Sequence, residues 1–277
     1  MIDLHTHTTA SDGRCTPAEL VARAKTAGVD VLSVTDHDTT AATSAAAAAC
    51  AAAGIEFVPG IEITAVVDDK DVHVLGYFID SESAPLAAFL AEQRRRRVDR
   101  ITQIIDRLAA LGIALDAESV LRPGRDDRSK AAGRPWVARA LVAAGYVADT
   151  REAFDRFLAA GQPAFVPRIG PAPAEVFDHI HASGGIASLA HPGLLRRDDL
   201  IPEFTRLGLD ALEAHHSKHT FHDIERYLLI ADQEQLSVSG GSDYHADPSH
   251  DTGGPGSVSL PRDAFEALKA RSARYSR

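Results

Sequence analysis

Met1-Ile2-Asp3-Leu4-His5-Thr6-His7 opens the chain with a short apolar run that ends in two histidines, two positions apart. On extended backbone residues i and i+2 share a side, so both imidazoles point the same way and suit chelation of one ion. The pattern recurs along the chain. Val31–Thr35 is β-branched and ends in Thr35-Asp36-His37-Asp38, Glu62 follows Pro59-Gly60, and the run Val72–Ile79 opens with His73. Further on, Ile186–Ala190 leads into His191, Asp210–Ala214 carries Glu213 and leads into His215-His216, and Ser237–Gly240 leads into Ser242-Asp243-Tyr244-His245, with Asp12 lying just beyond the first pair.

Helical patterns separate these runs. Thr16-Pro17 reads as an N-cap with proline in the first turn, and Thr40–Ala53 reads as a helix stopped by Gly54. Glu56–Pro59 and Ile61–Val67 read as strands divided at Gly60. Helices are expected over Ala174–Ala182, Ile201–Leu207, Phe221–Gln235 and Pro261–Ser272. Repeated β/α units predict a parallel sheet or barrel, and a barrel is preferred here to an open doubly wound sheet. In a barrel the loops after the strands form one rim, where residues distant in sequence meet. The middle differs: Pro85–Leu111, Trp136–Ala144 and Arg151–Ala160 read as helices with no strand between them. We therefore expect residues 1–83 and 162–277 to form the barrel and 84–161 a helical insertion subdomain.

Composition bounds the function. The chain has 277 residues, enough for one large α/β domain with an insertion, and contains no stretch of roughly 20 apolar residues that would span a membrane. Met1–His5 lacks the basic and apolar regions of a secretory signal, and a count of two cysteines argues against a disulfide framework, so a reducing cytoplasm is expected. A net charge of −10 argues against a stable nucleic-acid complex through a basic surface, although bound divalent cations would reverse the field inside a cleft. A lone histidine at a strand end is ordinarily structural. Six or seven strand ends finishing in His, Asp or Glu are not explained by packing, because that many buried ionisable groups would need costly pairing. The set points to a metal-dependent hydrolase with a multinuclear site.

At these residues the chain resembles the PHP (polymerase and histidinol phosphatase) superfamily of metal-dependent phosphoesterases. The resemblance lies in Asp3-Leu4-His5-Thr6-His7, Ser11-Asp12-Gly13, Thr35-Asp36-His37-Asp38, Gly60-Ile61-Glu62, His73, His191-Pro192-Gly193 and Gly240-Gly241-Ser242-Asp243-Tyr244-His245, in order along nearly the whole chain. It implies an α/β fold, a distorted (β/α)7 barrel. It also implies three divalent metal ions, one held by His5, His7, Glu62 and Asp243, a second by the bridging Glu62 with His73 and His191, and a third by Asp12, His37 and His245. Within the superfamily, Gly133-Arg134-Pro135…Ala138-Arg139 and Ala160-Gly161-Gln162-Pro163…Val166-Pro167-Arg168 resemble the branch of 3′,5′-nucleotide bisphosphate phosphatases and a 5′→3′ exoribonuclease. That branch often has histidine where Trp136 stands here, so Trp136 reads as core of the insertion, with base stacking as the alternative.

The implied reaction is hydrolysis of a phosphate ester of a nucleotide or short oligonucleotide by a hydroxide bridging two cations. Manganese is the first choice of metal, with iron or zinc compatible with mixed nitrogen and oxygen donors. Arg134 and Arg168 are candidate phosphate clamps, since a guanidinium binds phosphate bidentately. The nine metal ligands carry the catalysis. Around them, Asp36 and Asp38 are candidates to orient His37, His216 and His219 read as exposed or helix-capping, and Arg94–Arg97 reads as a solvated helix face. His179 and His181, two apart on a helix, do not face one another and should not chelate. Alternatives are a histidinol-phosphate-type phosphatase, a non-phosphate amidohydrolase and a catalytically silent metal-binding module.

Overall fold

The computed structural model describes residues 1–127, 129–248 and 251–275. Strands β1 (Ile2–Asp3), β2 (Val31–Val34), β3 (Glu56–Val67), β4 (Lys70–Tyr77), β5 (Ile186–Leu189), β6 (Ala211–His216) and β7 (Ser237–Gly241) form one seven-stranded sheet in sequence order. The backbone past β7 returns to that past β1. Leu4 N–H donates to Gly240 O (3.2 Å), Asp243 N–H to His5 O (2.8 Å) and His7 N–H to Tyr244 O (2.9 Å). The sheet thus nearly closes into a barrel, which sets aside the open doubly wound alternative.

One strand breaks the parallel repeat. β4 runs antiparallel to both β3 and β5, while the other pairings are parallel. The tight reversal is made at Asp68 and Asp69, both in the left-handed region (φ 49° and 60°), where aspartate is among the better-tolerated non-glycine residues. The two strands expected over Glu56–Pro59 and Ile61–Val67 are one continuous strand. Gly60 is not a turn: a Cβ there would lie 2.2 Å from Ser33 Oγ, so glycine lets β2 and β3 pack closely. β3 and β4 thereby form a long hairpin that carries Glu62 and His73 within strands rather than beyond their ends.

Helices α1 (Pro17–Thr26), α2 (Thr43–Ala53), α3 (Ala84–Ala110), α4 (Ala117–Asp126), α5 (Arg134–Ala143), α6 (Thr150–Ala153), α7 (Pro173–Ala182), α8 (Pro192–Leu195), α9 (Ile201–Arg206), α10 (Phe221–Gln233) and α11 (Arg262–Ser272) fill the connections. α1 opens on the capping box of Thr16 and Glu19. α2 begins at Thr43, not Thr40, because Thr40–Thr43 closes as a turn. α4 has no counterpart in the sequence reading, where Pro123 and Gly124 obscure the pattern; Asp116 caps it by accepting from Glu118 N–H. The helix expected over Arg151–Ala160 is split: α6 is followed by a single π-helical turn, Phe154–Leu158.

The 27 residues of α3 join two cores. Leu86, Phe89 and Leu90 pack with Phe177 and Ile180 of α7 against the barrel, whereas Ile101, Ile104, Ile105 and Leu108 pack with Trp136, Val137 and Leu141 of α5. Apolar positions three or four apart give both contacts from one amphipathic helix. Three hydrogen bonds tie this helical layer to the loop after β1: Trp136 Nε1–H to Ser11 O (3.0 Å), Arg139 to Asp12 O (3.1 Å) and Ala131 N–H to Ala10 O (3.0 Å). No described helix is long and apolar enough to cross a membrane.

Candidate metal centre

All nine residues expected as ligands converge on one place, although they come from six segments of chain. Glu62 is the hub. Its Oε1 lies 2.8 Å from His73 Nδ1 and 3.1 Å from His191 Nε2, and its Oε2 lies 3.4 Å from His5 Nε2, 3.3 Å from His7 Nε2 and 3.0 Å from His37 Nδ1. Asp243 Oδ1 faces the same pair, 3.4 Å from His5 Nε2 and 3.3 Å from His7 Nε2. Asp12 forms the other end, with Oδ1 3.4 Å from His245 Nε2 and Oδ2 3.7 Å from His37 Nε2. The alternation of β1 thus places His5 and His7 side by side, both fully buried.

Carboxylate oxygens and imidazole nitrogens this close would ordinarily hydrogen-bond. Here His5 Nε2, both ring nitrogens of His7, His37 Nδ1 and Glu62 Oε2 are buried without a hydrogen-bond partner. Lone pairs aimed at a common point, not along N–H directions, are what a cation requires. Two donors each about 2.1 Å from one ion sit roughly 3.0–3.4 Å apart, which is the spacing observed around Glu62 Oε2 and Asp243 Oδ1. The donor set fits divalent cations of mixed nitrogen and oxygen preference.

The electrostatics agree. Burial opposes charge on Glu62, but His37, His73 and His5 overcome it and hold the carboxyl well below its usual range. Asp12 is depressed in the same way against burial by His245 and His37. Burial also opposes charge on His7, yet Asp243 and Glu62 push it up to about 10. Burial leaves His37 well below the usual imidazole range, since Glu62 and Asp12 do not compensate. Protons and cations compete for these lone pairs, and cations would replace the protons. Two of the positions sit on left-handed backbone, His191 (φ 28°) and Asp243 (φ 54°), a conformation that persists at such residues only where the surroundings hold it.

Beside the donors lies a cleft of about 360 Å³, with the metal-type residues on one wall and Arg134, Thr150, Arg151 and Phe154 of the helical layer on the other. Arg168 and Arg97 line it as well. Arg134 lies over the Phe154 ring (5.6 Å to its centroid) and approaches Asp71, as does Arg168 (Nε–Oδ1 3.4 Å). Asp71 is held down to about 2, burial being outweighed by Arg168 and Arg100. Burial, reinforced by Arg97, brings Arg168 down to about 10. Among the described residues, Arg97, Arg100, Arg134 and Arg168 gather around two carboxylates, Asp38 and Asp71. This leaves an excess of positive charge beside the donors, suited to an anion.

Several residues stand elsewhere than expected. Arg94–Arg97 is not uniformly solvated: Arg95 and Arg96 pair with Glu92 on the outside, but Arg97 donates to Asp38, Thr64 and Ala132, and Arg94 to Asp38 O. The run lies on a helix, so positions three apart turn inward together. The carboxylates of Asp36 and Asp38 are engaged away from His37: Asp36 accepts from Thr8 and Ser11, and Asp38 from Thr64 N–H and Arg97. His216, read as exposed or capping, is 2% exposed, with Nε2 3.3 Å from Asp243 Oδ2. His219 does cap, its Nε2 accepting from Gly193 N–H at the start of α8. His179 stacks on Phe89 and His181 pairs with Asp210, so they form no chelate. Glu213 went unassigned, yet it is fully buried, 2.8 Å from His5 Nδ1. The available signal is a glutamate between apolar residues, Leu212 and Ala214, just before His215-His216. Trp136 packs in the helical core as expected.

Comparison with known proteins places these features. A family model described as PHP domain matches residues 3–131. A 3′,5′-nucleoside bisphosphate phosphatase of Chromobacterium violaceum is 36% identical over 252 residues, covering 88% of this chain and 87% of the relative. The 5′-3′ exoribonuclease Rnm of Salmonella typhimurium is 37% identical over 252 residues, covering 88% and 84%. Among solved structures, a Bifidobacterium adolescentis protein described provisionally as a metal-dependent phosphoesterase superposes with a TM-score of 0.89 at 32% identity, covering 97% of this chain and 95% of that one.

Proposed function

Since the chain belongs to the PHP domain family, we propose that it hydrolyses phosphate esters of nucleotides, either 3′,5′-bisphosphorylated mononucleotides or short oligonucleotides. The observation that carries this reading is the cleft itself, where a buried cluster of cation donors faces a cluster of arginines. In the proposed assignment, His5, His7, Glu62 and Asp243 would hold one cation, Glu62, His73 and His191 a second, and Asp12, His37 and His245 a third. The distances around Glu62 and Asp12 support this division. Manganese is the proposed metal, with iron or zinc as alternatives. Divalent cations held there would lower the pKa of a bound water and neutralise phosphoryl oxygens.

The chain's own part is positioning and charge, which dominate phosphoryl transfer. Arg134 and Arg168 would bind a phosphate that is not being cleaved. Their anchor, Asp71, lies two residues along β4 from His73, so the two arginines stand next to the donor cluster, where a second phosphate of the same nucleotide would be held. Phe154 and Leu194 add apolar surface to the cleft, against which a base could rest. Relatives named as a bisphosphate phosphatase and an exoribonuclease accord with two phosphates flanking one sugar. Residues 84–161 would act as the substrate-selecting insertion on the barrel formed by 1–83 and 162–277.

The test is a product-release screen with Mn²⁺-loaded protein of confirmed metal content, covering 3′,5′-bisphosphates, mononucleotides and short 5′-phosphorylated RNAs. Phosphate or nucleotide release from substrates carrying two phosphates across one sugar, and faster than from mononucleotides, is expected. Turnover of amides or lactones in place of all of these would overturn the reading.

A further inference from the structure

β6 contributes no cation donor in the assignment above, yet it points two ionisable side chains at the cluster. On a regular strand, Glu213 and His216, three positions apart, would face opposite sides. The β6–β7 register slips between them: Glu213 pairs with Ser239, and His215 already pairs with Gly240. This irregularity restores a shared face, leaving Glu213 and His216 buried and His215 turned partly outward. Gly240 permits it, because a Cβ there would lie 2.6 Å from His215 Cβ and 2.8 Å from His215 O.

The hydrogen bonds fix what each side chain does. His216 Nδ1 accepts from Lys218 N–H (3.2 Å), so its proton resides on Nε2, which faces Asp243 Oδ2 at 3.3 Å. A protonated Nε2 donates and does not ligate. Asp243 Oδ2 is thereby engaged, and Oδ1 is the oxygen presented to His5 and His7. Glu213 acts on the opposite flank. Its Oε1 lies 2.8 Å from His5 Nδ1, and its Oε2 accepts from His191 N–H (2.7 Å). A carboxylate accepts only, so His5 carries its proton on Nδ1 and turns the Nε2 lone pair toward Glu62 and Asp243. The bond to His191 N–H holds a residue on left-handed backbone.

We propose that β6 is a positioning strand. Glu213 sets the tautomer of His5 and the backbone of His191, and His216 orients Asp243, so that one bulged strand aligns three donors from behind. The inference rests on the ligand assignment above, and its readout is metal affinity, not turnover. Outer partners of this kind change metal affinity by roughly 10–100-fold when removed.

Mn²⁺ titrations, with bound metal counted by elemental analysis, should be run on the full-length wild type and on Glu213→Gln, His216→Ala, His216→Gln and His216→Leu. The Glu213→Gln amide cannot accept from both His5 and His191, and the expected weakening is roughly 10–100-fold. His216→Ala should weaken binding by a similar factor. His216→Gln places an amide N–H near the position of Nε2 and should recover most of the loss, whereas His216→Leu, of similar volume but without a donor, should not. Wild-type affinity in both Glu213→Gln and His216→Ala would overturn the proposal, as would a His216→Gln variant no better than His216→Ala or His216→Leu. Should Glu213→Gln fail to fold, the His216 variants decide alone. A wild type that binds no Mn²⁺ would instead sink the ligand assignment.

Discussion

The two walls of the cleft are built on different principles. The barrel wall consists of strands whose ends or edges deliver the donors, more than one after β1 and after β7 and none from β6, most of them buried and gathered around Glu62 and Asp12. The opposite wall comes from helices, a π turn and the irregular segment that follows it, and presents guanidinium groups stacked on Phe154 and Phe165 with their charge only partly matched. Cation donors must be held to within tenths of an ångström, and a closed sheet with hydrogen-bonded backbone does that. A phosphate clamp tolerates more play, because a planar guanidinium reaches its partner from several rotamers. On the proposed reading, chemistry belongs to the rigid wall and selection to the adjustable one.

The strongest way to break this comparison is to damage the rigid wall. Asp243→Asn and His5→Ala should each abolish turnover and lower the bound metal per chain, measured by phosphate release and elemental analysis. Asp243 faces both His5 Nε2 and His7 Nε2, so removing its charge disturbs two donors at once. Full activity with full metal content in either variant would remove that residue from the cation site and sink the ligand assignment.

Damage to the adjustable wall should look different. Arg134→Ala and Arg168→Ala each remove a charge-assisted contact of about 1.5–3 kcal/mol, equivalent to roughly a 10–150-fold rise in KM. Bound metal should stay at the wild-type level, and an aryl phosphate with a single phosphate should lose less than a bisphosphate. A loss confined to kcat, equal for both substrates, would move these arginines to the reacting phosphate and erase the division between the walls.

The same division explains what could be read in advance. His5, His7, His37 and His245 declared themselves because ligand-type residues at strand ends have few structural uses. The barrel followed from the alternation of β and α patterns. The reversal of β4 did not, since periodicity carries no strand direction and the Asp68-Asp69 turn lacks the usual glycine. Glu213 and His216 were obscured for a related reason. Their shared face depends on a register slip against β7, and a pairing irregularity leaves no mark in one strand's own sequence. On the other wall, Arg97 is distinguished from Arg95 only by which way the helix turns it.

The seam between the walls gives a milder test. Trp136 Nε1–H donates to Ser11 O beside Asp12. Trp136→Phe keeps much of the packing and removes this bond, at a cost of about 0.5–1.5 kcal/mol in thermal or denaturant unfolding. A modest weakening of Mn²⁺ binding should accompany it if the helical layer holds the Asp12 loop in place. Destabilisation with unaltered metal affinity would show that the loop is set by the barrel alone.

The smallest effect is expected from Arg95, and the reason is geometric. Arg95 belongs to the same Arg94–Arg97 run, but its partners are Glu92 and Asp99 on its own helix, at 2.8 Å each, and its side chain is 63% exposed. Exposed pairs of this kind gain little in water and are screened by salt. Arg97, two positions on, is 6% exposed and bridges Asp38 to Thr64 and Ala132, linking the helix to the loop after β2 and to β3. Arg95→Ala should therefore leave kcat, KM and unfolding midpoint at wild-type values, while Arg97→Ala should lower the midpoint clearly, because it strands the buried Asp38 carboxylate. A rise in KM for short RNAs in Arg95→Ala, absent for mononucleotide bisphosphates, would instead show that the outer face of this helix tracks a nucleic-acid backbone, and the adjustable wall would then extend beyond the cleft.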